Sequence, residues 1–67
     1  MSVAKVTEIT ATSPKGFDEA VKAGISRANK TLKNVQGAWI KGFKVDCENG
    51  RIQGYRVDMK ITFVLED

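Results

Sequence analysis

Few side chains in this sequence can stack, chelate or attack. The single tryptophan, Trp39, stands near Phe43 and Val45. An indole offers a broad apolar plane that can stack on a flat ligand. The same plane commonly anchors contacts between subunits. Arg56 carries a planar fork that donates hydrogen bonds in pairs to a carbonyl edge or a phosphate. It can equally pair with Asp58 or another acid, within the chain or across a subunit boundary. Asp46, Glu48 and Asn49 offer the oxygen atoms that calcium prefers. Asp and Asn are also ordinary turn residues, and no EF-hand spacing is present. Cys47 is the only cysteine and there is no histidine, so a nucleophilic thiol has no imidazole base. One thiol without histidine cannot build the usual zinc tetrahedron. Gly37, Gly42, Gly50 and Gly54 are scattered and form no phosphate loop before a helix. No catalytic residue and no metal site is therefore assigned, and the expectation is a binding module, not an enzyme.

Four elements must position these residues. Val3 to Thr12 is rich in Val, Ile and Thr and predicts a strand. Thr12 or Ser13 can cap a helix, with Pro14 at its first position. Phe17, Ala20, Val21, Gly24, Ile25, Ala28 and Leu32 recur at the spacing of one helix face, and Asn34 marks a stop. Asp18 and Glu19 at the start and Lys30 and Lys33 at the end match the helix dipole. Gly24 on that apolar stripe suggests a close approach of the helix to a sheet. Asn49-Gly50 predicts a type I′ turn between strands over Ala38 to Cys47 and Ile52 to Leu65. In the last strand Tyr55, Val57, Met59, Ile61, Phe63 and Leu65 alternate with mostly polar residues, the pattern of a half-buried strand.

A two-residue turn sets the register, so Cys47 opposes Ile52, Phe43 opposes Arg56, Lys41 opposes Asp58, Ile40 opposes Met59 and Ala38 opposes Ile61. Ala38, Ile40, Val57, Met59 and Ile61 then face the helix. Trp39, Phe43 and Val45 fall together on the opposite face beside Lys41, Arg56, Asp58 and Lys60. Three large apolar residues on an uncovered face indicate a subunit interface or a ligand site.

Size points the same way. With 67 residues the chain is one domain, residues 1–67, of α+β class in the order β-α-β-β. Domains this small bury little of their surface and commonly need a staple, which here leaves self-association. The net charge of +3 comes from basic residues interspersed with acids, unlike a concentrated nucleic-acid-binding face. No apolar run reaches the ~20 residues of a membrane span. With one free thiol and no signal-like start, a cytoplasmic protein without nucleic-acid or membrane partners is expected.

Four pieces resemble the dodecin family: Ala11-Thr12-Ser13-Pro14 before the helix, Ala28 to Leu32 with Asn34-Val35 after it, Tyr55, and Lys60-Ile61-Thr62-Phe63-Val64-Leu65-Glu66. The resemblance spans nearly the whole chain. It implies a three-stranded antiparallel sheet wrapped on one helix and a hollow homododecamer. It also implies non-catalytic storage of a flavin, FMN or riboflavin, stacked on a tryptophan and touched by a glutamine. Coenzyme A is a further ligand of some members, and one branch binds calcium. The family tryptophan falls at Gly37 and the family glutamine at Arg56, with Trp39 two residues on. Trp39, Arg56 and Gly37 are accordingly the candidate ligand residues, with weakened flavin binding expected. Trp39, Phe43 and Val45 are the candidate interface. A shell without flavin, holding calcium or another cation, is the alternative.

Overall fold

A computed structural model describes residues 2–65. Strand β1 covers Ala4–Ser13, helix α1 Phe17–Thr31, strand β2 Val35–Glu48 and strand β3 Arg51–Val64. The sheet has the order β1-β3-β2, with both pairings antiparallel. β3 is thus the centre of the sheet, which explains why its alternation is the cleanest in the sequence. Glu66, the last residue of the C-terminal motif, lies outside the described residues.

The turn between β2 and β3 is of the expected kind. Asn49 and Gly50 both take positive φ, 53° and 76°, as a type I′ hairpin requires. The helix begins later than the capping residues suggested. Ser13 still belongs to β1, and its Oγ accepts a hydrogen bond from the Lys15 backbone N–H at 3.0 Å, bending the chain through Pro14. Gly16 precedes the first helical turn and supplies no side-chain cap. At the other end Asn34 takes φ 61° and turns the chain into β2.

The helix lies on one face of the sheet. Ala20 and Ala28 pack with Val57, Met59 and Ile61 in a fully or nearly buried core, rimmed by Ile9, Ala11, Val21, Ile25, Ala38 and Ile40. Gly24 is where the two layers meet most closely: a Cβ there would lie 2.6 Å from Met59 Cε and 3.1 Å from Ala11 Cβ. A helix of this length spans ~22 Å, whereas the molecule extends 51 Å. One end of the β2–β3 hairpin therefore runs beyond the helix, and Phe43 and Ile52 remain exposed. No helix among the described residues is long and apolar enough to cross a membrane.

Candidate ligand site on the uncovered sheet face

The register of β2 on β3 decides what the uncovered face carries. Cys47–Ile52, Ile40–Met59 and Ala38–Ile61 pair as the turn predicts. Between them the register shifts twice, at Asp46/Cys47 and again at Ile40/Gly42. In the intervening segment Phe43 opposes Val57, not Arg56, and Gly42, not Lys41, opposes Asp58. Lys41 is the extra residue of a bulge, which reverses the facing of the strand. Phe43 and Val45 consequently lie on the helix side. The Phe17 ring meets Phe43 edge-on at 4.9 Å between centroids and Tyr55 at 5.1 Å. The expectation that Trp39, Phe43 and Val45 share one face is corrected: a bulge, invisible in hydrophobic patterning, separates them. The apolar residues exposed to either side of the sheet now differ, Phe43 on the helix side and Trp39 on the other.

Residues of the uncovered face stand in rows across the three strands. Val6, Thr62 and Gly37 form one row, and Glu8, Lys60 and Trp39 the next. Thr10 and Asp58 follow with Gly42, then Thr12 and Arg56 with Lys44. Trp39 is 66% exposed, and the space above Gly37 is open to at least 4 Å. An upright indole thus borders a low floor made of Gly37, Thr62 and the exposed Val6. Trp39 and Gly37 lie ~7 Å apart along the strand, about the width of a fused ring system. Val6 was not singled out in the sequence; only the weak alternation of β1 hints at its facing.

Polar partners surround this floor on one side. Lys60 Nζ lies 5.5 Å from the centroid of the Trp39 ring, a cation–π contact. Lys41 Nζ donates to Glu8 Oε1 at 3.4 Å, and Thr10 Oγ1 donates to Asp58 Oδ1 at 2.8 Å. Arg56 Nη2 donates to Asp46 Oδ2 at 3.1 Å, while its Nε is enclosed and has no hydrogen-bond partner. The acid that holds Arg56 is Asp46, and Asp58 accepts from Thr10 instead. Arg56 lies four residues from Lys60 on β3, ~13 Å from the Trp39 row. Within one chain, then, Gly37 and Trp39 are brought together and Arg56 stands apart from them.

The face offers stacking, charge and hydrogen bonding, and little else. Cys47 lies exposed near the far hairpin tip. Among the described residues no three of Asp, Glu, Cys or His converge as a metal-holding group, and Asp46 is already occupied by Arg56.

The family model described as Dodecin matches residues 3–66. A curated Dodecin from Thermus thermophilus is 29% identical over 65 residues, covering 97% of this chain and 94% of its own. The solved dodecin from Streptomyces davaonensis superposes with a TM-score of 0.93 at 35% identity, covering 98% of this chain and 97% of that one. A calcium dodecin from Mycobacterium tuberculosis, described with a novel calcium-binding site, gives 0.83 at 26% identity, covering 97% and 93%.

Proposed function

From the premise that this chain belongs to the dodecin family, we propose that it is a self-assembling, cytoplasmic protein that binds and stores a small planar ligand without transforming it. The ligand is a flavin, FMN or riboflavin. The observation that carries this reading is the exposed indole of Trp39 beside the open floor at Gly37. A large aromatic surface left in water is costly, and a flat ring lying on the floor would cover it. Partner copies would supply the other side of the site and bring Arg56 of a neighbour within reach. The homododecamer expected for the family is the assembly in which we place it.

Binding should be weak. Displacing the indole by two residues and replacing a glutamine by Arg56 each alter a contact worth about 1 kcal/mol or more. Together they would lower affinity by roughly tenfold or more. The test is the absorption spectrum of the purified protein together with quenching of FMN fluorescence on addition of the chain. Micromolar quenching supports the reading; an unchanged flavin signal at high protein concentration removes it.

The second reading, a shell that holds calcium, draws on the existence of a calcium dodecin among the relatives. It would need acidic side chains from several copies, because Asp46 is paired within the chain. Coenzyme A would suit the same face through its adenine ring and its phosphates.

A further inference from the structure

Lys60 has two possible partners on the uncovered face, and it takes the unusual one. In the strand register it stands directly opposite both Glu8 and Trp39. The nearer electrostatic choice for an ammonium is the carboxylate. Yet Glu8 is held by Lys41, the residue that the bulge adds to β2, at 3.4 Å. Among the described residues Lys60 makes no ion pair, and its Nζ lies over the indole at 5.5 Å. The bulge thus supplies Glu8 with a partner from one side and leaves Lys60, without an ion pair, over the ring that would stack a ligand.

We infer that Lys60 is a specificity-determining residue of this site, selecting planar heteroaromatic rings that carry a phosphate over the same rings without one. The inference rests on the ligand reading given above and deepens it. A neutral ring that stacks on Trp39 competes with the ammonium for the indole and offers it only uncharged acceptors in exchange. A phosphorylated ring gives the displaced ammonium an anion at the ligand's margin, within reach of a flexible lysine side chain. Because the site is open to water, the discrimination is modest and sensitive to salt.

Trp39 is the only tryptophan, so indole emission reports on this ring alone. The protein is titrated with FMN against riboflavin, and with adenosine 5′-monophosphate against adenosine, following that emission. The wild-type protein should favour the phosphorylated member by roughly two- to fivefold at low salt, less at high salt. Lys60→Gln should bring the ratio to about one, and Lys60→Arg should preserve it. Equal affinities for the two members of each pair, or a preference that persists in Lys60→Gln, overturns the inference. If riboflavin and FMN bind equally well, the flavin reading stands and the role of Lys60 falls. If neither flavin binds while the adenine pair shows the Lys60-dependent preference, the flavin falls and the role of Lys60 stands. No quenching by any of the four ligands sinks both.

Discussion

Gly24 of the helix and Met59 of the central strand meet so closely that a β-carbon at Gly24 would lie 2.6 Å from the Met59 methyl. Met59 is fully buried and cannot swing into solvent, and Ala11 Cβ stands 3.1 Å away on the neighbouring strand. A Gly24→Ala change improves helix propensity by about 1 kcal/mol but overpacks this contact at a cost of about 1–3 kcal/mol. The expected outcome is a net loss of about 1 kcal/mol, seen as a lower urea midpoint. A rise in that midpoint would show that the flexible Met59 methyl, or the spacing of the layers, gives way at little cost.

The Asn49-Gly50 turn gives a second stability test. Gly50 has φ 76° and open space around it, so only backbone strain opposes a side chain. Gly50→Ala should cost about 1 kcal/mol, read by thermal or chemical melting. An unchanged stability would mean that the turn relaxes to another type without disturbing the register.

Trp39 is tested by comparing fold, assembly and binding in one variant. The indole is mostly exposed in the single chain, and its loss should leave the strand and helix content intact. Trp39→Ala should weaken FMN binding by about tenfold or more. Light scattering decides its second role. A wild-type mass near a dodecamer that falls apart in the variant assigns the indole to subunit contact; a surviving dodecamer with lost binding assigns it to the ligand.

The Asp46–Arg56 pair should matter little to stability. The two side chains are 36% and 42% exposed, and exposed pairs contribute under about 1 kcal/mol. Asp46→Asn should lower the melting temperature slightly at low salt and not at all in molar salt. A large loss at both salt concentrations would show that Asp46 supports Arg56 in a more buried, assembled setting.

Much of this architecture is legible in the residues, and what is not comes from a bulge, a local turn and pairings between distant strands. The helix stripe from Phe17 to Leu32 and the alternation from Tyr55 to Phe63 each repeat a period that backbone geometry imposes, and the Asn-Gly turn shows through its need for positive φ. Gly24 was readable as a contact point because a helix tolerates glycine at a stability cost only where bulk is excluded. A bulge has no period. The shift at Ile40/Gly42 moves Phe43 and Val45 to the helix side, yet apolar residues occur on both sides of it and give no warning. The helix start misled for a related reason: Ser13 forms a local turn with Lys15, a role its hydroxyl fills as readily as a helix cap. The site was half readable, since Trp39 and Gly37 stand two residues apart within one strand. Val6 and Lys60 join them only through pairings between distant strands.

The strand order also governs when this chain can fold. β1 and β2 each pair with β3 and never with one another, and β3 is the last of the three to be synthesised. No rung of the sheet can form on the ribosome until Arg51 and the residues after it have emerged. Until then Val6 and Ile9 wait without a ladder. The β2–β3 hairpin, joined by its two-residue turn, can then close within microseconds. β1 must cross a far longer loop to reach partners such as Val64 and docks later on that account. Nascent chains stalled before Arg51 should show helical signal at most, whereas release of the whole of β3 should bring β structure in a single step.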